Sequence, residues 1–157
     1  MRKILIIDGD YEFTRMVIPF LENSNFEAAV ANNLEEARSE IERFSPNLIL
    51  LSRDLIGESG NLIPDGLGLL KEIKTSPRWK QIPVIFLVSA ASEKDLEKLR
   101  RLKYKADDYA RKPLEDNDLL RRIENLIGFD PEETTSLLRE EMEKISKQKS
   151  QAEVNTR

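Results

Sequence analysis

Asp8, Ser52, Ser89 and Lys112 are the residues whose types and spacing could do chemistry, because each closes a short run that reads as a strand. An acid, two hydroxyls and an amine brought to one place can hold an ion. A serine hydroxyl can also act as a nucleophile, but only with a base or other activation. The chain has no histidine, so the usual base of hydrolytic triads and the commonest zinc ligand are both missing. It has no cysteine either, which excludes a disulfide framework and a thiolate metal site. Any one of the four residues alone is weak: acids at strand ends are common, and a lysine before a proline is usually a surface lysine. Their shared order and spacing carry more weight.

The elements that must position them follow from the apolar pattern. Leu48 to Leu51 is too short for a helix and does not alternate, which suits a central strand buried on both faces of a parallel sheet. In an open parallel sheet the chemistry lies just past the carboxyl ends of the strands; here that place holds Ser52, Arg53 and Asp54. Lys3 to Ile7 predicts a first strand with an acidic tip, Asp8-Gly9-Asp10. Phe13, Met16, Val17, Phe20 and Leu21 predict an amphipathic helix over 11–23, with Pro19 awkward inside it. Phe26 to Ala31 predicts a second strand. Asn33, with Glu36 three residues on, caps a helix whose inner stripe is Leu34, Ala37, Ile41 and Phe44. Leu55 to Pro64 is a long connection containing Gly57 and Gly60.

Asp65-Gly66 opens a helix with Leu67, Leu70 and Ile73 inward. Ile82 to Val88 predicts a fourth strand. Ser92 caps a helix carrying Leu96, Leu99 and Leu102. Asp107 to Ala110 predicts a fifth strand, leading to Lys112-Pro113, and a helix through Leu119, Leu120, Ile123, Leu126 and Ile127 stops at Gly128. Five strands alternating with five helices imply an α/β fold with right-handed crossovers. The four polar strand ends then share one edge. Residues 129–157 turn charged and polar. Leu138, Met142 and Ile145 keep coiled-coil spacing that Lys149 and Ala152 do not continue, so this reads as a helical tail or linker, partly disordered, or the start of a dimerising stalk.

With 157 residues and 39% apolar content, one domain with a real core is expected, plus an appendage. A formal charge of −4 with both signs interspersed argues against bulk binding to nucleic acid or an anionic membrane. No apolar run approaches the roughly 18 residues of a membrane span. A soluble, cytoplasmic protein is the expectation.

In this order the segments Lys3–Asp8, Pro46–Leu51, Asp65–Ile73, Ile82–Phe86, Ala106–Tyr109 and Lys112-Pro113 resemble the receiver domain of two-component response regulators. The resemblance covers residues 2–128. It implies a five-stranded parallel sheet of flavodoxin-like order 2-1-3-4-5, with helices on both faces, followed by a helical tail. It also implies a phosphorelay role in which a paired acid and a phosphoacceptor aspartate hold magnesium, a lysine binds the phosphate, and a hydroxyl and an aromatic relay the switch. Lys103–Pro113 and Leu126–Phe129 further resemble an atypical receiver of a bacterial surface-motility protein, where a coiled coil also follows the domain.

Carried over position by position, the pattern departs at its centre. The phosphoacceptor position holds Ser52, and the second acid of the first-strand pair is Gly9. Asp8 then serves a metal or Lys112. Magnesium needs only one or two carboxylates beside water and phosphate, so Asp8 with Asp10 would hold it weakly or not at all. The spacing from Pro83 to Ser89 is a residue long, which puts Val88 near the place of the switch hydroxyl. Tyr109 matches the switch aromatic and equally fits ordinary packing. The loop after the third strand is about six residues longer than the family's, which puts extra chain over the pocket.

The reading that follows is a degenerate receiver, phosphorylation-independent, that acts without catalysis as an interaction module for a signalling or localisation partner. Its face is the fourth helix, fifth strand and fifth helix, with no nucleic acid and no membrane insertion, and a dimer through the C-terminal helix is open. An alternative makes Asp54 the acceptor with magnesium, although two residues along a strand is roughly 6.6 Å. An alternative of another class is a small flavodoxin-type phosphate- or nucleotide-binding enzyme. That would need a glycine-rich loop, where Asp8-Gly9-Asp10 has a single glycine.

Overall fold

The computed structural model describes residues 1–89, 93–128 and 138–148. The chain divides into two units, Met1–Ile127 and Gly128–Arg157. In the first, β1 (Arg2–Ile7), α1 (Tyr11–Asn23), β2 (Phe26–Ala31), α2 (Leu34–Phe44) and β3 (Leu48–Ser52) are followed by a two-strand excursion, β4 (Leu55–Ile56) and β5 (Leu62–Ile63). Then come α3 (Gly66–Thr75), β6 (Val84–Ser89), α4 (Glu93–Arg100), β7 (Asp108–Lys112) and α5 (Asp116–Ile127). In the second unit residues 138–148 form a helix, with Leu138, Met142 and Ile145 exposed.

The main sheet runs β2-β1-β3-β6-β7, every pairing parallel. With the two short strands set apart, this is the order 2-1-3-4-5. Alternation along the strands sorts the core into two layers. Leu5, Ile7, Ile49, Leu51, Phe86 and Val88 face α2, α3 and α4, through Ile41, Leu70, Ile73 and Leu96. Ile4, Ile6, Leu48, Leu50, Ile85 and Leu87 face α1 and α5, through Phe13, Val17, Leu21, Leu119 and Ile123. Leu48 to Leu51 is fully buried because both layers close on it. Each such aliphatic side chain contributes about 2 kcal/mol.

Several details differ from the sequence pattern. Met16 is 68% exposed and lies outside the inner stripe of α1. Thr14 is buried instead, its hydroxyl satisfied by the Tyr11 carbonyl. In α3 the fully buried leucines are Leu69 and Leu70, with Leu67 only partly covered. The fourth strand of the sheet begins at Val84 rather than Ile82, after a proline that has no N–H to give the ladder. β7 begins at Asp108 because the Asp107 carboxylate is turned back to accept the Val84 N–H at 2.8 Å and the Lys74 ammonium at 2.6 Å. The long connection is no plain loop: Leu55 and Ile56 pair antiparallel with Ile63 and Leu62, around a turn with Gly60 at φ +84°. The Ser92 cap lies outside the described residues, as do Lys149 and Ala152. Gly128, at φ +69°, follows α5 as expected.

At the amino edge of the sheet, Glu42 of α2 accepts from the indole of Trp79 at 3.0 Å and from Arg78 at 2.5 Å. On α5, Asp118 accepts from Arg122 at 2.9 Å and Arg121 at 2.5 Å, and Arg122 also pairs with Asp108 of β7. The Arg122 hydrogen bond, then that of Arg121, holds the Asp118 carboxyl below its ordinary range. The folded chain therefore keeps this group charged at pH values where the unfolded chain protonates it. Its stabilisation is complete above the ordinary carboxylate pKa and is lost as pH falls through the depressed value. Thermal melts across pH should show Asp118→Asn trailing the parent at neutral pH and meeting it in acid. Solvent screening keeps the gap small.

Candidate functional site

The carboxyl edge gathers all four residues singled out by type and spacing, three of them in contact. Asp8, one step past β1, is 1% exposed, and Ser52, the last residue of β3, is 4% exposed. The Ser52 hydroxyl donates to Asp8 Oδ2 at 2.5 Å. The Lys112 ammonium, at the end of β7, reaches the same oxygen at 2.5 Å and lies 4.1 Å from the centre of the Phe13 ring. Asp8 Oδ1 accepts the Asp10 N–H at 2.9 Å. The register explains the meeting: Ile7 sits beside Leu51 and Ser89 beside Lys112, so the strands end level.

This carboxylate accepts from a hydroxyl, an ammonium and a backbone N–H, and the Ser52 hydroxyl is engaged as a hydrogen-bond donor to it.

Asp10 has another task. It stands at the N-cap of α1, accepting the Glu12 N–H at 3.0 Å and the Phe13 N–H at 3.2 Å. The β4–β5 hairpin covers Gly9. Its N–H donates to the Asp54 carbonyl at 2.9 Å, and a β-carbon there would stand 2.5 Å from Leu62 Cδ2 and 3.0 Å from the Asp54 carbonyl oxygen. The hairpin is fastened on its other side by the Ile56 N–H to the Asn32 carbonyl.

Asp8 is the buried carboxylate of this site, Asp10 caps α1, and the position of the second acid is Gly9. One such carboxylate beside water and a phosphate would hold magnesium only weakly. Among the described residues no group of three or more carboxylate, histidine or cysteine side chains could hold a metal.

The remaining candidates stand around this centre. Asp54 turns to Arg53 at 3.3 Å, its side chain 39% exposed. Ser89 is exposed, while Val88 is buried and lies beside Arg111 in the register. The Tyr109 hydroxyl accepts the Ala106 N–H at 3.0 Å and donates to the Leu99 carbonyl at 3.2 Å, with its ring against Phe86. A cavity of about 850 Å³ opens over the edge, floored by Asp8, Ser52 and Lys112 and walled by Leu67, Phe86 and Leu99. Sequence reasoning missed the hairpin and the seating of Leu62. It also passed over the cap, although Asp10 directly before a helical stripe is a recognisable capping signal.

Residues 4–124 match the family description of the response regulator receiver domain. The chain belongs to this family. Among curated relatives, the phosphate regulon transcriptional regulatory protein PhoB of Escherichia coli is 31% identical over 122 residues, 78% of this chain and 50% of that protein. The transcriptional regulatory protein CpxR of Klebsiella pneumoniae is 34% identical over 127 residues, 81% of this chain and 50% of that protein. The chain thus spans about half the length of the curated relatives it matches. The solved receiver domain of a DNA-binding response regulator from Colwellia psychrerythraea superposes with a TM-score of 0.69 at 27% identity, covering 82% of this chain and all of that one. A receiver domain protein from Methanospirillum hungatei gives 0.66 at 26%, covering 80% and 92%.

This receiver is a domain of two-component signalling with the flavodoxin-like fold. No helix among its described residues is long and apolar enough to cross a membrane.

Proposed function

We propose that this receiver works without phosphoryl transfer, as a non-catalytic interaction module within a cytoplasmic signalling pathway. The observation that carries the reading is the closed triad: Asp8 holds Ser52 and Lys112 at 2.5 Å each, so the family's acceptor position presents a hydroxyl already donated to its own neighbour. A carboxylate attacks phosphorus without losing a proton at neutral pH; this serine has no free base. The partner is a signalling or localisation protein, met through the surface formed by α4, β7 and α5. Tyr109, tied to the backbone at Leu99 and Ala106, belongs there to a fixed framework.

Incubation with phosphoramidate and magnesium, read by intact mass, is expected to add no acid-labile phosphoryl group. Ser52→Asp with Gly9→Asp, in which the half-exposed Leu62 side chain must turn aside to admit the second acid, tests whether those two carboxylates are what the site lacks. A phosphoryl group gained by this variant and not by the parent is the expected result; circular dichroism checks that the variant folds. A phosphoryl group on the parent chain mapped to Asp54 would overturn the reading.

A further inference from the structure

β2 is an outer strand of the sheet, paired with β1 alone. One bond sets the direction of its backbone groups. The Asp8 N–H donates to the Ala31 carbonyl, so Ala31, Ala29 and Glu27 turn theirs toward β1. Phe26, Ala28, Val30 and Asn32 therefore turn theirs outward. Asn32 is satisfied within the chain, its N–H by the Glu36 carboxylate and its carbonyl by the Ile56 N–H. No hydrogen bond among the described residues takes up the outward groups of Phe26, Ala28 and Val30.

An open edge of this kind is a template for a further strand, and proteins ordinarily blunt it with lysine, proline or a bulge. β7, the other outer strand, carries Asp108, Arg111 and Lys112, and Arg122 holds its Tyr109 carbonyl. β2, of sequence FEAAVA, has an unbroken register, no lysine and no proline, and Glu27 is its one charge. Ala28, Ala29 and Val30 are partly exposed, so neither α1 nor α2 closes over the edge.

We propose that β2 pairs with β2 of a second copy of this chain, antiparallel, about a two-fold axis at Ala28. The register argues for that occupant. Antiparallel strands bond where outward residues stand opposite outward residues. Centring on Ala28 is the two-fold arrangement that uses all three of them: Ala28 faces its own copy, and Phe26 faces Val30 of the second copy. Glu27 then faces Ala29, so no like charges meet across the join. The edge is thus self-complementary, as a two-fold contact between identical chains requires. No residue of β2 lines the carboxyl-edge cavity, so the pairing is independent of the phosphoryl chemistry.

The chain has no cysteine, so introduced ones test the register directly. Glu27 and Ala29 of the second copy would be a facing pair with α-carbons roughly 4.5 Å apart, within disulfide reach. Glu27 and its own copy would be diagonal, roughly 7–8 Å apart and outside it. Full-length Glu27→Cys and Ala29→Cys chains, mixed and gently oxidised, should therefore give a mixed disulfide dimer in several-fold higher yield than either chain gives alone. Sedimentation of the unaltered chain should show a mass that rises toward the dimer with concentration. Ala28→Pro removes an outward N–H and leaves the ladder to β1 in place; it should return the chain to a monomer with an unchanged far-ultraviolet spectrum. Should that variant not fold, the cysteine pair still decides. A parent chain that stays monomeric up to millimolar concentration, or equal cross-linking in the mixture and the separate chains, would overturn the proposal. So would a dimer that persists in folded Ala28→Pro, which would place the contact elsewhere, on the 138–148 helix for instance.

Discussion

Gly66→Ala is expected to destabilise the receiver by about 3 kcal/mol or more, the upper range for forcing atoms into a packed site. A β-carbon at Gly66 would lie 2.0 Å from the Ser52 carbonyl oxygen and 2.7 Å from the Arg53 α-carbon. Both are backbone atoms, of the last residue of β3 and the residue after it, so no side chain can rotate away. The helix start is pressed there by the Gly66 N–H, which donates to the Arg53 carbonyl at 2.8 Å. Relief would require α3 to lift from β3 and take Leu69 and Leu70 with it. Gly68, two residues on in the same helix, is the control. A β-carbon there meets nothing within 4 Å. Gly68→Ala should therefore stabilise by about 0.5–1 kcal/mol, through helix propensity and a less flexible unfolded chain. Urea titrations of the two variants should move in opposite directions; a shared direction would contradict the packing described.

Lys112→Met is expected to cost about 3 kcal/mol, the scale of removing one partner from a buried pair. Asp8, 2% exposed in its side chain, would keep the Ser52 hydroxyl and the Asp10 N–H but lose its counter-charge. Adding Asp8→Asn should recover a large part of the loss, since the carboxylate left without its cation is then gone. Denaturation of the two single variants and the double closes the cycle, and simple additivity would mean that the pair is not coupled. Ser52→Ala, which leaves the ion pair in place, should cost about 1 kcal/mol.

The parts of this fold legible in the sequence are those where one stretch of chain decides its own environment. Leu48 to Leu51 reads as a central strand because full burial on both faces leaves no room for alternation. Asn33 reads as a cap because its partner, Glu36, is three residues away, and the structure shows that N–H at 2.8 Å. Met16 misled because it stands beside the inner stripe of α1 without joining it. β4 and β5 left no trace because strands of two residues have no period to detect. The covering of Gly9 by Leu62 was illegible for a different reason. It depends on two positions far apart in the chain, brought together by a hairpin whose course the local pattern does not set. The meeting of Asp8, Ser52 and Lys112 could be anticipated only because parallel strands of one sheet end at one edge.

The single tryptophan of the chain has a practical consequence. Trp79 lies ahead of β6, its indole hydrogen-bonded to Glu42, at the end of the sheet opposite Ser52 and Lys112. Its intrinsic emission will therefore follow loosening of α2 from the segment after α3 and will stay dark to events over Asp8. A spectroscopist seeking occupancy of the far edge needs an added fluorophore there, while the native one serves as an internal gauge of whether the framework is intact.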